Sequence, residues 1–327
     1  MEIEKSIRSK VVRSYKAYSS EWEPVLAEAF IKTVKNIRSE ATLQRLSRAI
    51  ESNDANAVID LIGPDVIAEA LKDKDGLTDA MYQTYVAGGE MGREQLPKGA
   101  ALEANLKLDT PEATKYLREN LPMAIVEITE DQRAAIQSVL VAGNVSKQTV
   151  AEIARDLRDT IGLTDAQAQY VRNFREQLET GEGGDPSYRR LNAVSQNRAS
   201  AEYAAEETTQ STVDDLVDEY YQSMVNYRAE AIARTECHDA LVQGQRDMWD
   251  SAAEDGLIDG NSARRFWSDT EDDRERDEHL AVPDMNPDGV GLDEPFDTPV
   301  GPVMDPGTSG DPAFDIQCRC CVILQFV

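Results

Sequence analysis

Apolar residues recur at helical intervals along the first half of the chain. Val25, Ala29, Val34 and Ile37 form one such series, and Leu43, Leu46 and Ile50 form another. Gly63-Pro64 interrupts the pattern before a run from Val66 to about Tyr85. From Ala87-Gly88-Gly89 to Leu96-Pro97-Lys98-Gly99 the glycines and the proline predict a looser connection. Thr110-Pro111 then fits an N-cap with proline at the first helical position, where a missing N–H costs nothing. Thr129/Gln132, Thr149/Glu152 and Thr164/Gln167 have capping-box spacing, in which two orphan N–H groups are satisfied reciprocally. Gly143-Asn144 and Gly162 are the expected C-caps between them. Ile136, Val139 and Leu140 line one stripe; Val150, Ile153, Leu157 and Ile161 line another.

The run 181–186 (Gly-Glu-Gly-Gly-Asp-Pro) predicts a flexible linker. A polar helical stretch follows from Tyr188 to about Glu207, then a long helix from about Thr212 through Asp250. Its apolar stripe is Leu216, Val217, Tyr220, Tyr221, Met224, Val225 and Tyr227. Past Gly256 the texture changes to Pro, Gly and Asp with short β-like pieces, ending in an apolar strand from Cys321 to Val327. The expected fold is therefore mainly α. A helical domain over 1–180 and a helical connection over 181–230 would lead into a small loop-rich α+β module over 231–327.

Charge narrows the range of partners. The 327 residues include 61 acidic and 34 basic side chains, a net charge of −27. Binding to phosphate backbones needs clustered Lys and Arg, so this balance argues against extended contact with DNA. The first sixteen residues mix both charges without an apolar stretch, unlike a signal peptide, and no run approaches the roughly 20 apolar residues of a membrane span. The four cysteines, Cys237, Cys318, Cys320 and Cys321, do not form a disulfide framework and suit a reducing cytosol. Synthesis in a cytoplasm is expected.

Four pieces of the last third carry the most specific pattern. They are Ala233-Arg234-Thr235-Glu236 on a helix; Trp267 followed by Asp272-Asp273-Arg274-Glu275-Arg276-Asp277-Glu278-His279; Asp293-Glu294-Pro295-Phe296 leading to Gly310-Asp311-Pro312; and Cys318-Arg319-Cys320 before the terminal strand. In this order, over about residues 231–322, they resemble the C-terminal domain of the Mu F-like head-morphogenesis family of tailed phages. A weaker similarity extends back to about Thr129. The resemblance implies a minor capsid protein present in few copies at the portal vertex of the virion. It would act in head assembly, DNA packaging or ejection, with the portal protein as partner and the major capsid or scaffolding protein as further candidates.

The residues also have a physical reading. Arg234 and Glu236 lie two apart on a helix and point in different directions, so they need other partners. Arg274 and Arg276 alternate with Asp273, Asp277 and Glu278, which suits charge-assisted bonds to both sides of an extended segment. Arg234, Glu236, Asp273 and Arg276 are expected to form a polar staple between the helix and the loop-rich module. His279, Cys318 and Cys320 are zinc-type donors, but a structural site needs four. Some relatives in the resembled family carry Cys-x-x-Cys where this chain has Arg276 to His279. Cys321 and Cys237 lack suitable spacing, so the expectation is buried thiols beside a hydrogen-bonded histidine, with no cofactor and with structural zinc as the alternative. His238, next to Cys237, diverges from it on the helix.

No P-loop, G-x-G-x-x-G or H-E-x-x-H motif is present, and with two histidines no nucleophile–base pair stands out. No catalytic residue is therefore expected. The competing readings are a metal-dependent hydrolase or nuclease using His279 with Cys318 and Cys320, and a helical interaction protein of no phage association.

Overall fold

The structure is a computed structural model that describes residues 5–52, 55–73, 76–108, 113, 116, 121–181, 193–203, 209–270 and 275–327. The chain is mainly α-helical and ends in a small α+β module. The helices of the first part are α1 (Lys5–Glu40), α2 (Leu43–Glu51), α3 (Ala55–Ile62), α4 (Pro64–Lys72), α5 (Leu77–Arg93) and α6 (Lys98–Glu103). After them come α7 (Leu121–Ser146), α8 (Val150–Arg158), α9 (Asp165–Thr180), α10 (Ala193–Tyr203) and the long α11 (Gln210–Glu254). The module then contains β1 (Ala263–Ser268), α12 (Asp277–Leu280), α13 (Val282–Met285), β2 (Phe296–Thr298), β3 (Gly301–Val303), α14 (Pro312–Asp315) and β4 (Cys321–Phe326).

Two of the three capping boxes start helices. Thr149 and Thr164 accept from the backbone N–H of Glu152 and Gln167, whose side chains return to the caps. Thr129 does not: it lies inside α7 and donates its hydroxyl to the Val126 carbonyl. Its partner Gln132 is fully buried and instead bonds Thr160 Oγ1 at 3.2 Å and Gly162 N at 3.0 Å. Gly143 also lies inside α7 rather than capping it, because the Ile153 side chain packs against its bare Cα. Gly162 takes a left-handed conformation (φ +75°), but α8 is capped by Asp159, so the glycine turns the chain after the helix rather than capping it. Gly181 does cap α9 in a left-handed conformation (φ +67°), while the rest of the 181–186 linker and Thr110-Pro111 lie outside the described residues.

The expected loose connection at 87–99 is mostly helix. Ala87, Gly88 and Gly89 belong to α5, and Lys98 starts α6. The glycines serve a close helix crossing. A Cβ on Gly88 would fall on the Leu241 carbonyl, one on Gly92 would sit 2.6 Å from the Gln245 carbonyl oxygen, and one on Gly244 would fall on the Tyr85 carbonyl. Backbone therefore meets backbone between α5 and α11. Trp249 Nε1 donates to the Gly92 carbonyl at 2.9 Å in the same contact. Gly244→Ala is expected to destabilise by about 3 kcal/mol or more, since neither backbone can move aside. Gly99→Ala, with open space around the added methyl in α6, should instead gain about 0.5–1 kcal/mol. Denaturant melts of the two variants test this contrast.

Two compact units are each assembled from separated stretches. One comprises 1–28, 77–123 and 230–327; the other comprises 29–76 and 124–229. The divisions expected at 180 and 230 follow the sequence, whereas the units interleave along it. In the second unit Asp159, 5% exposed, accepts from Arg38 at 2.9 Å and from Arg175 at 3.2 Å. Those arginines also reach Asp218 and Asp214 at 2.5 Å, and the Arg38 guanidinium lies 3.9 Å from the Tyr221 ring centroid.

In the first unit β1 and β4 pair antiparallel, from Ala263↔Phe326 to Ser268↔Cys321, and β2–β3 form a hairpin. Their inner faces, with α6 and the end of α11, bury Leu96, Trp249, Trp267, Phe296, Phe314 and Val322 in one cluster. Burial at about 25 cal/mol per Å² of apolar surface drives this assembly. The β-ladder and the aromatic cluster together fix the turn before β4, where the candidate site lies.

Candidate metal centre

Arg276 precedes α12 without capping it. Its guanidinium instead donates to the carbonyls of Phe314 at 3.1 Å and Ile316 at 2.6 Å. From the other side Thr235 Oγ1 on α11 accepts from Gln317 N at 3.2 Å, and Arg234 donates to the Gln317 side chain at 3.1 Å. Gln317 itself adopts a left-handed conformation (φ +59°), uncommon for a non-glycine residue, so its contacts hold a strained turn in place. Asp311 accepts from Ala313 N at 2.9 Å and starts α14, and Asp315 Oδ2 accepts from Gly310 N at 2.7 Å.

The expected staple is thus drawn differently. Arg234 and Arg276 grip the 314–317 turn from two sides rather than pairing with acids of the other segment. Arg234 Nε also lies 3.6 Å from Glu23. Asp272, Asp273 and Arg274 lie outside the described residues.

The turn delivers Cys318 and Cys320 to His279. All three side chains are at least 97% buried: His279 is 3%, Cys318 1% and Cys320 2% exposed. His279 Nε2 lies 3.0 Å from the Phe314 carbonyl, which only accepts, so Nε2 carries the proton. Nδ1 faces the two sulfurs, 3.7 Å from Cys318 Sγ and 3.3 Å from Cys320 Sγ. The ring is held by Phe314 at 4.2 Å and by Trp267, edge-on at 6.2 Å. A hydrogen bond from Cys320 holds the Cys318 thiol well below the usual range, helped by the neighbouring histidines against its burial, while Cys320 is pushed up. Trp267 Nε1–H is buried without a hydrogen-bond partner among the described residues.

Three of the four donors that a structural zinc site needs are brought together. With Zn–N about 2.0–2.1 Å and Zn–S about 2.3 Å, a tetrahedral angle places N and S about 3.6 Å apart. The two observed separations bracket that value. The carbonyl-bound Nε2 supplies the outer contact that orients a metal-bound imidazole. Among the described residues the group comprises these three ligands, all within 4.8 Å of one another. A cavity of about 100 Å³ adjoins them, lined also by Thr270, Glu275 and Arg319. Thr270 Oγ1 is buried there without a hydrogen-bond partner.

Cys237, Cys321 and the second histidine are not part of this group. Burial pushes the Cys321 thiol up to about 12. His238 is buried with Nδ1 2.8 Å from Tyr15 Oη and Nε2 3.0 Å from the Pro306 carbonyl, so neither nitrogen is available.

One buried cluster in the module escapes the motif reading. Arg265, fully buried in β1, donates to the carbonyls of Gly291 at 3.1 Å, Met304 at 2.9 Å and Glu294 at 2.5 Å, and to Asp305 at 2.6 Å. Arg246 on α11 takes the other Asp305 oxygen at 2.9 Å and the Leu292 carbonyl at 3.0 Å. Asp250, 3.4 Å from Arg246, is desolvated strongly enough that its carboxyl is pushed up to about 7 despite that arginine. A folded-state value above the unfolded one (about 3.9) makes the protonated form the stabilising one. This contribution is complete below pH about 4 and is lost as pH rises toward 7. Asp250→Asn should therefore flatten the stability profile between pH 4 and 7 and gain at least about 1 kcal/mol at pH 8, each pKa unit being worth about 1.4 kcal/mol. Urea midpoints at pH 5 and pH 8 decide the matter.

No family model matches this chain, and no curated protein or solved structure matches it.

Proposed function

We propose that the chain is a non-enzymatic minor capsid protein of a tailed phage, associated with the portal vertex and acting in head assembly, DNA packaging or ejection. The observation that supports this reading is how its motif residues are used. Thr235, Arg276, His279 and Asp311 all make hydrogen bonds inside the module, to the 314–317 turn or to its helix α14. Trp267 sits in the aromatic core between Phe296 and Phe314. Residues so committed maintain a shape for a partner to recognise. Within this reading His279, Cys318 and Cys320 would supply three of the four ligands of a structural zinc ion tying α12 to the turn before β4, the fourth not being supplied among the described residues. The −27 charge would keep the surface from adhering to packaged DNA.

Mass spectrometry of gradient-purified virions, with a pull-down on the portal subunit encoded in the same genome, tests the proposal. A few copies per particle and a retained portal ring are expected. Absence from both virions and procapsids would overturn it.

A metal-dependent hydrolase is the second reading, favoured by the cavity beside a three-ligand group and by Thr270 and Glu275 on its wall. Zinc-dependent ester or phosphodiester hydrolysis, lost in His279→Ala, would select it over the first.

A further inference from the structure

The second unit holds a concavity of about 310 Å³ lined by four arginines: Arg38 from α1, Arg155 and Arg158 from α8, and Arg175 from α9. That volume lies at the lower end of the range for small-molecule sites. Asp159 and three aspartates of α11 also line it.

The four arginines are used in two ways. Arg38 and Arg175 share Asp159 between them and reach Asp218 and Asp214 with their other nitrogens. Their charge is consumed in that network. Arg155 and Arg158 make no ion pair and no side-chain hydrogen bond among the described residues. Other arginines of the same unit do find a carboxylate: Arg172 reaches Asp165, Arg198 reaches Glu219 and Arg228 reaches Asp131.

The free pair is also desolvated. The Nε–H groups of Arg155 and Arg158 are buried without an acceptor, and so is that of Arg38, a residue only 8% exposed. A buried donor with no acceptor destabilises, the more so on a charged group. Such a guanidinium grips an oxyanion through two parallel N–H groups, a geometry that an ammonium lacks. Arg155 and Arg158 stand three residues apart on α8, so the two forks are neighbours on one face of the helix.

The aspartates restrict what can enter. A compact polyanion filling the concavity would meet them, whereas a ligand with a phosphate at one end and hydroxyls at the other suits both kinds of wall, since carboxylates accept from hydroxyls. Asp215 is exposed, lines the concavity and takes no part in the Asp159 network, which leaves its oxygens open to such donors.

We infer that this concavity binds a small phosphorylated polyol, its phosphate held by Arg155 and Arg158 and its hydroxyls by Asp215. The phosphate supplies acceptors for the two stranded Nε–H groups. The inference is independent of the phage-head reading and of the metal ligands, which lie in the first unit.

Ribose 5-phosphate, inorganic phosphate and ribose are the probes, titrated into the full chain by calorimetry at about 0.15 M chloride, where diffuse surface attraction is screened. Saturable binding of ribose 5-phosphate at one site is expected, with weaker binding of phosphate and none of ribose. Arg155→Gln and Arg158→Gln should each weaken it about tenfold or more. Their unfolding midpoints should stay unchanged or rise, because neither arginine has an ion pair to lose. Arg158→Lys, which keeps the charge without the fork, should lose most of the same affinity. Asp215→Ala should narrow the preference for ribose 5-phosphate over phosphate. The inference fails if ribose 5-phosphate does not saturate, or if ribose binds as well. It also fails if the glutamine or lysine variants bind like the parent, which would reduce the arginines to a diffuse cationic surface.

Discussion

Asp305→Ala is expected to destabilise the first unit by about 3–5 kcal/mol, the cost of leaving buried charge without its counter-ion. Asp305 is 3% exposed and divides its two oxygens between Arg265 at 2.6 Å and Arg246 at 2.9 Å. Removing it strands two guanidiniums at once. Arg265, with no exposed surface, keeps three carbonyls, but carbonyl dipoles replace only part of a full negative charge. Asp305→Asn should recover some of the loss by retaining one acceptor. The three tryptophans, Trp22, Trp249 and Trp267, all belong to this unit, so a fluorescence-detected urea transition isolates it from the rest of the chain. A loss below about 1 kcal/mol for the alanine variant would show that the cluster is not the anchor described.

Zinc should raise the same transition. At free zinc one hundred times the dissociation constant the gain is about 2.7 kcal/mol, because an ion that binds only the folded state shifts the equilibrium by mass action. His279→Ala and Cys318→Ser should each abolish the zinc-dependent part. Cys321→Ser should not, since that residue pairs with Ser268 across the ladder and is not one of the three grouped ligands. Binding requires thiolates, so the gain should shrink as the pH is lowered. Stoichiometric zinc by elemental analysis of the protein purified without chelator is the accompanying measurement. A folded protein with no zinc, and no response to added zinc near neutral pH, would rule the ion out.

The helical layout was legible where one local rule governs. Thr149 and Thr164 cap because nothing else claims Glu152 or Gln167, and the Thr212–Asp250 stripe lies within α11. Thr129 failed as a cap because Gln132 is claimed by a loop thirty residues away, a partner that spacing does not reveal. Gly88 and Gly89 resemble a turn in one dimension; the need for the first arises where α11 crosses it, and for the second where the Leu106 side chain packs against it. The candidate site was readable by residue type, since His279, Cys318 and Cys320 are rare side chains with few alternative uses. The Asp305 cluster was not. Arg265 sits beside another arginine in a strand of mixed polarity, and Asp305-Pro306-Gly307 resembles an ordinary exposed turn, so nothing local marks either as buried.

The interleaving of the two units has a consequence for how the protein comes into being on the ribosome. Residues 29–76 and 124–229 have all been synthesised before the stretch 230–327 begins to emerge, so one unit can complete itself during translation. The other cannot. Its early pieces, 1–28 and 77–123, must wait for the final 98 residues, with the faces of α1 and α5 destined for that core still uncovered. Long-range closure of this kind is slow. The interval between making α5 and making its partner in α11 is therefore the period in which the nascent chain is most open to capture by chaperones or by other chains.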